Sequence, residues 1–168
     1  RWKSVPGLVF ITDHLLPELA RQKITSKSRP FFILGLSTGA RGAALIALAK
    51  PDTFKAVGML SGDFDQTRET HDRLITAVYG PYGAHKERWK NSDNSLTRAG
   101  EWKHPAYLAH GSKDTIVPSF HTQIFYDAIK ARGSDQEIVL EMPAAGHDYF
   151  FWGPYGIRAL DFFARHLK

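Results

Sequence analysis

Short apolar runs alternate with helix-like stretches along this chain. Four runs have the length and composition of buried strands, and they cover residues 31–34, 56–60, 106–110 and 137–141. Small residues at 40–48 predict a helix after the first run, and residues 157–167 predict a last helix with the apolar face Ile157, Leu160, Phe163, Ala164 and Leu167. Strands that alternate with helices indicate an α/β fold, a mostly parallel sheet flanked by helices.

The stretch from residue 63 to 104 breaks this pattern, because it is polar and irregular. It carries a turn cluster at residues 80–83 and two tryptophans, Trp89 and Trp102. We interpret 63–104 as an insertion within a single domain that spans residues 1–168. A cap-like segment that folds over the functional site and a plain surface crossover are both compatible with its composition.

Composition and charge exclude several classes of protein. Of the 168 residues, 43% are hydrophobic, which is enough for one globular domain, and no apolar run is long enough to span a bilayer. The net charge is +5, but the 22 basic residues are scattered, which argues against a nucleic-acid partner. The chain has no cysteine and no H-x-x-H spacing, so it predicts no metal site and no cofactor. The compartment, cytoplasmic or exported, and the oligomeric state stay open.

A G-x-S-x-G motif, Gly35 to Gly39, lies between the first predicted strand and the first predicted helix. This context is typical of a nucleophile elbow, a turn so tight that its serine is strained and its neighbours must be small. Gly35 and Gly39 are expected to meet that demand and to leave the Ser37 hydroxyl projecting above the sheet. The Thr38 N–H would then point at an oxyanion formed on the substrate. The motif is short enough to arise by chance, so its partners decide its meaning.

Two partners follow the motif, each directly after a predicted strand. Asp114 follows the run at 106–110, and His147 follows the run at 137–141. Loops that follow parallel strands meet at one edge of the sheet, so these residues can approach Ser37. A serine nucleophile needs a base, a histidine can accept and return its proton, and a carboxylate orients that histidine. The order Ser37, Asp114, His147 is that of α/β-hydrolases.

Other polar residues compete for these roles. Asp63 follows the run at 56–60 and is the alternative acid or a substrate-binding residue, although the V-P sequence after Asp114 favours Asp114. Asp148 is expected to cap a helix or loop. The remaining histidines are expected to be structural or exposed: His104 at a strand entry, His110 as the lead-in to Asp114, and His14, His71, His85, His121 and His166 at the surface.

The segments around these residues resemble the esterase D-like "putative esterase" family of the α/β-hydrolases. The resemblance rests on residues 35–39, 110–118 and 146–152, and further matches lie at 10–19, 51–57 and 61–62. It covers nearly the whole chain, least securely from 63 to 103. It implies an α/β-hydrolase fold and serine-esterase activity without a cofactor. The resemblance also implies that Ser37 is the nucleophile, Asp114 the acid, His147 the base and Thr38 an oxyanion donor.

The N-terminal part of the chain departs from the family pattern. In that family several strands precede the elbow, and the loop after the third supplies a second oxyanion N–H. Only 36 residues precede Ser37, and they contain no glycine-rich loop. The chain begins with Arg1 rather than Met, so we interpret it as the C-terminal part of a longer protein, lacking the N-terminal strands. We expect the 168-residue chain alone to be inactive on a chromogenic ester.

Aromatic residues are dense beside His147. We expect most of them to pack in the core and Tyr149 or Trp152 to contact substrate; the set is Tyr149, Phe150, Phe151, Trp152 and Tyr155. The sequence therefore predicts a serine hydrolase that cleaves small-molecule carboxylic esters of alcohols, thiols, sugars or siderophore-like compounds through an acyl-enzyme. The alternative is a non-catalytic α/β-hydrolase fragment or scaffold that binds a ligand or partner.

Overall fold

Four parallel strands form the centre of the molecule. A computed structural model describes residues 6–25, 30–133 and 135–167. The strands pair in chain order, and they are β1 (Phe32–Leu36), β2 (Ala56–Leu60), β3 (Ala106–Ala109) and β4 (Ile138–Glu141). Every pairing is parallel, with Phe32 opposite Ala56 at the start of the sheet. The four strands and the parallel α/β architecture predicted from the apolar runs are confirmed.

Helices cover both faces of this sheet. The helices of the described residues are α1 (Gly7–Phe10), α2 (Leu16–Arg21), α3 (Thr38–Ala49), α4 (Arg73–Tyr79), α5 (Phe120–Ala131) and α6 (Tyr149–Arg165), with a π-helical turn (Ile11–Leu15) joining the first two. Alternate side chains of β2 pack on opposite faces of the sheet. Val57 and Met59 pack with α3 and α5, whereas Ala56 and Leu60 pack with α6. Both faces of β2 are therefore buried, which is why its sequence is continuously apolar.

The prediction for the last helix is wrong in its start and in every position of its apolar face except Phe163, which is buried. α6 begins at Tyr149, where the Asp148 side chain accepts a hydrogen bond from the Phe151 N–H at 3.1 Å. It buries Phe151, Ala159, Phe162 and Phe163, while Ile157, Leu160 and Leu167 are exposed. The reason is that the face with Ala159 and Phe162 packs against the strands. This face crosses β2 closely at Gly58, where a Cβ would lie 3.1 Å from the Phe163 ring and 3.5 Å from the Ala159 Cβ.

The segment from 63 to 104 connects β2 to β3 and is built into the core. Besides α4 it contains three single-turn helices, Gln66–Arg68, Arg88–Ser92 and Ala99–Glu101. Trp102 is buried and packs edge-on against Phe125 of α5 at 5.6 Å. Trp89 is also buried, beside the ring of Tyr79 at 5.1 Å. That the segment acts as a cap, and that residues 1–168 form one domain, stay predictions.

No helix among the described residues combines the length and the hydropathy needed to cross a membrane.

Candidate active site

Ser37 occupies a strained turn between β1 and α3. Its φ is +54° and its ψ is −126°, a conformation that side-chain-bearing residues rarely adopt. The turn is held by a 2.8 Å hydrogen bond from the Ser37 N–H to the Leu60 carbonyl. A Cβ on Gly35 would lie 2.0 Å from the Gly39 carbonyl oxygen, so only glycine fits at position 35. A Cβ on Gly39 meets open space, so the expectation that both glycines are sterically required is wrong for Gly39.

Ser37, His147 and Asp114 form a continuous hydrogen-bonded chain. The Asp114 Oδ2 atom accepts from His147 Nδ1 at 2.6 Å, and the Ser37 hydroxyl lies 3.0 Å from His147 Nε2. Since the carboxylate fixes the ring proton on Nδ1, Nε2 is left as an acceptor for the Ser37 hydroxyl. Thr38 is the first residue of α3, so its N–H lies at the helix terminus beside the serine. The structure thus brings together the four residues that the sequence singled out.

The Asp114 side chain is completely buried, and several donors surround it. Its Oδ1 accepts from the N–H groups of Ile116 and Val117, both at 2.9 Å, and its Oδ2 accepts from His147 and lies 3.2 Å from His110 Nε2. Burial acts to raise the pKa of this carboxyl. The hydrogen bonds from Val117 and His147 outweigh it, so the pKa is lowered from its ordinary value. Asp114 is therefore held ionised despite its enclosure.

The loops that carry Asp114 and His147 are bonded to each other. The Ser112 N–H donates to the Pro143 carbonyl at 2.7 Å, and the Lys113 N–H donates to the Ala145 carbonyl at 3.0 Å. A Cβ on Gly111 would lie 2.2 Å from the Ala145 oxygen. The glycine at 111 therefore permits the close approach that sets the distance between the two side chains.

Two aromatic residues flank His147. The Trp152 ring stands edge-on to the imidazole at 4.8 Å, and its Nε1 donates to the Ser61 hydroxyl at 3.1 Å. Tyr149 packs edge-on against Trp152 and is 77% exposed. Phe151 is buried, and Trp152 and Tyr155 are partly buried and pack against the same core cluster, so most of the five aromatic residues are core, as expected. Phe150, like Tyr149, is exposed.

Asp63 lies in a different environment from Asp114. Its carboxylate pairs with Arg41 of α3, and both side chains are nearly inaccessible. Burial raises the pKa of Asp63, and the charge of Arg41 only partly opposes this. The Arg41 guanidinium also lies over the Tyr79 ring, 5.6 Å from its centroid. The hydrogen bond to His147 is made by Asp114, whereas Asp63 joins α3 to the 63–104 segment.

A cavity of about 360 Å³ lies beside Thr38. Apolar side chains of α1 and α3 line it, together with Val78, Tyr79 and Arg88 from the 63–104 segment. Arg88 is paired with Asp93 at 2.5 Å and lies over the Tyr79 ring. The segment predicted as an insertion therefore supplies one wall of the cavity nearest the elbow.

The histidines other than His147 differ in burial. His14, His71 and His85 are exposed and His166 is half-buried, whereas His104, His110 and His121 are buried. The prediction that His121 lies at the surface is wrong, because it is buried on the inner face of α5. Burial lowers the pKa of His121 to about 4. Its position in an amphipathic helix is the signal that could have placed it inside. Among the described residues no group of three or more His, Cys, Asp or Glu is arranged to hold a metal.

Comparison with known families identifies the family of the chain. Residues 5–131 match the model of the family described as "Putative esterase". The chain belongs to this esterase family. The match covers the elbow and Asp114, while His147 lies beyond it. No curated protein matches the chain.

Solved structures place this esterase-family chain in the α/β-hydrolase fold. It matches an S-formylglutathione hydrolase from Agrobacterium tumefaciens with a TM-score of 0.74 at 23% identity over 95% of the chain. It matches a ferulic acid esterase with a TM-score of 0.70 at 19% identity over 95% of the chain. It matches an acylaminoacyl peptidase from Pyrococcus horikoshii with a TM-score of 0.74 at 22% identity, again over 95% of the chain. The chain spans 57%, 61% and 27% of these three proteins respectively. The predicted α/β-hydrolase fold is confirmed.

Proposed function

We propose that this chain carries the catalytic triad of a serine hydrolase that cleaves carboxylic esters. The observation that carries the proposal is the hydrogen-bonded chain from Ser37 through His147 to Asp114. Its residue order, its strained serine and its buried acid each match what acyl transfer requires. Membership of an esterase family supports the same chemistry.

The geometry supports a two-step reaction. Ser37 Oγ attacks the ester carbonyl while its proton passes to His147 Nε2, and the carbonyl oxygen becomes an oxyanion beside the Thr38 N–H. The C–O bond to the alcohol then breaks, and His147 returns the proton to the departing oxygen. A water molecule next attacks the acyl-serine with His147 again as base. This step releases the acid and restores the Ser37 hydroxyl.

Asp114 supports both steps without exchanging a proton. Its Oδ2 holds the imidazole in the tautomer that leaves Nε2 free to accept, and its charge stabilises the imidazolium formed in each step. Its lowered pKa keeps it ionised across the neutral range. Asp63 is the weaker candidate for acid or substrate contact, because its carboxylate is committed to a buried pair with Arg41.

We propose that Trp152 and Tyr149 form the substrate wall beside His147. Trp152 packs against the imidazole, and the largely exposed ring of Tyr149 extends that surface outward. The substrate would be a small ester of an alcohol, thiol, sugar or siderophore-like compound. The likeness to a peptidase from Pyrococcus horikoshii makes an acylated amino-acid amide the second candidate substrate. Parallel assays on matched ester and amide substrates separate these candidates.

A fluorophosphonate probe tests the enzyme proposal against the scaffold alternative. Incubation of the intact protein with the probe, followed by mass spectrometry, should place the label on Ser37. The Ser37→Ala variant is the control and should carry no label. An intact, folded protein that takes no label would overturn the proposal and favour a non-catalytic scaffold.

A further inference from the structure

His110 lies behind the triad, directly after β3, and its ring is completely buried. Its Nε2 is 3.2 Å from Asp114 Oδ2 and 3.0 Å from the Val117 carbonyl oxygen, and its Nδ1 is 2.7 Å from the Thr122 hydroxyl. The oxygen of Asp114 that it approaches is the one that binds His147. His110 is thus a second imidazole on the carboxylate of the triad.

The partners of His110 determine where its proton lies. The Val117 carbonyl can only accept a hydrogen bond, so Nε2 must carry a proton. Burial lowers the pKa of His110, which favours the neutral ring. In a neutral ring Nδ1 is then the acceptor, and the Thr122 hydroxyl donates to it at 2.7 Å in preference to the Gly62 carbonyl at 3.4 Å. The Nε2–H is therefore shared between the Val117 carbonyl and Asp114 Oδ2.

We propose that His110 is a positioning residue of the triad, a neutral imidazole whose Nε2–H holds Asp114 Oδ2 in line with His147. This inference rests on the proposed function. Asp114 Oδ1 is already held by two backbone N–H groups, but Oδ2 otherwise depends on His147, whose own hydrogen bonding changes during each turnover. A donor from the rigid end of β3 keeps Oδ2 in place through those changes.

The neutral state of His110 matters as much as its position. A cationic ring at this place would compensate the charge of Asp114 and weaken its support of the imidazolium at His147. A neutral donor orients the carboxylate and leaves that charge available. The Thr122 hydroxyl, from the first turn of α5, supplies the donor that Nδ1 of a neutral ring needs.

Two substitutions at His110 test this role in the intact protein. His110→Leu removes the donor and should lower kcat by about 10- to 100-fold, with KM within about threefold, because His110 does not reach the substrate. His110→Gln places an amide N–H near the position of Nε2 and should restore kcat to within about fivefold of wild type. Active sites are counted by fluorophosphonate labelling of Ser37, so that unfolded protein does not enter kcat.

His104→Leu is the matched control. His104 is equally buried, and its ring nitrogens contact the carbonyls of Phe54 and Ala47, away from the triad. This variant should lose stability but keep kcat. If His110→Leu keeps kcat within threefold of wild type, or if His104→Leu loses as much as His110→Leu, the proposal is overturned.

A nuclear magnetic resonance measurement tests the same proposal without turnover. In protein labelled with nitrogen-15 at histidine, His110 should be neutral with its proton on Nε2 at pH 7. The downfield Nδ1–H resonance of His147 should move in His110→Leu and stay in place in His104→Leu. A cationic His110, or a proton on Nδ1, overturns the positioning role. Failure of Ser37 labelling overturns the proposed function instead, and leaves this spectrum to decide the role of His110.

Discussion

Four hydrogen-bond donors surround the Asp114 carboxylate. Replacing one of its oxygens with an NH2 group is therefore expected to change the hydrogen bonding of His147. In Asp114→Asn the amide oxygen is expected to stay with the N–H groups of Ile116 and Val117, which turns the NH2 group toward His147. Nδ1 would then have to accept, and the ring proton would move to Nε2, where it blocks proton transfer from Ser37. We expect kcat/KM to fall by about 10³- to 10⁴-fold.

Asp63→Asn is the matched control for Asp114→Asn. Asp63 pairs with Arg41 rather than with His147, so kcat/KM per labelled active site should stay within about threefold of wild type. Steady-state kinetics on one chromogenic ester measures both variants of the intact protein. The opposite ranking would identify Asp63 as the acid.

Two glycines of the elbow are expected to respond differently to the same change. Gly35→Ala places a methyl group 2.0 Å from the Gly39 carbonyl oxygen, so the turn that presents Ser37 must open. We expect the rate of fluorophosphonate labelling to drop below about 1% of wild type. Gly39→Ala meets open space and should label at the wild-type rate. Equal behaviour of the two variants would contradict the steric account of the elbow.

At the residue scale, the sequence predicted the three side chains of the hydrogen-bonded triad but not the residues that surround them. Ser37, Asp114 and His147 are recognisable because short local motifs carry them. The contact between Ser61 and Trp152 joins residues far apart in sequence, and no local pattern indicates it. His110 was visible in a motif, but its contact with Asp114 depends on how the loop after β3 folds back. Contacts of this kind are set by tertiary packing.

At the element scale, the spacing between two loops controls the site. The loop after β3 carries Asp114 and the loop after β4 carries His147, and Gly111 allows them to approach. Gly111→Ala would place a methyl group 2.2 Å from the Ala145 oxygen and break the two backbone hydrogen bonds between the loops. We expect kcat/KM for the ester to fall by about 100-fold, with the overall fold retained by circular dichroism.

Gly146→Ala is the control for that change, on the partner loop. A Cβ there would lie 3.4 Å from the nearest atom, Asp148 Oδ2, which is an ordinary contact. Its kcat/KM should stay close to wild type. A loss as large as that of Gly111→Ala would show that loop flexibility, rather than the close approach at Gly111, is what matters.

The sequence predicted the strand that is buried along its whole length, but it did not predict which face of the last helix packs on the sheet. β2 is buried along its whole length, and its apolar run at 56–60 predicted its bounds. α6 has two apolar faces with helical spacing, and periodicity alone cannot choose between them. The face that packs on the sheet carries Phe151, Ala159 and Phe162, and its contacts with the strands are set by tertiary packing.

At the scale of the whole molecule, the described residues show an apolar surface beside β1. β1 is the first strand in the order of the sheet, and Leu34, Leu160 and Leu167 are exposed near this edge. The sequence analysis placed both Leu160 and Leu167 on the buried face of the last helix, because residue type shows which positions favour burial but not which element covers them. The fold class was therefore predictable, whereas the extent of the surface that these residues bury was not.

The buried His121 makes the stability of the whole molecule depend on pH. Burial lowers its pKa from 6.5 to about 4, so between these values the unfolded chain binds a proton that the folded chain does not. The stabilising effect of the neutral ring is complete above pH 6.5 and is lost as the pH falls toward 4.

In His121→Asn, which keeps an acceptor for the Asp65 N–H, this pH dependence of the unfolding free energy should disappear. From pH 7 to pH 4.5, wild type should lose about 2 kcal/mol more unfolding free energy than the variant, as measured by urea denaturation. The other buried histidines are the same in both proteins, so this difference reports His121 together with its electrostatic coupling to His110. Equal losses in the two proteins would show that His121 takes up its proton without unfolding.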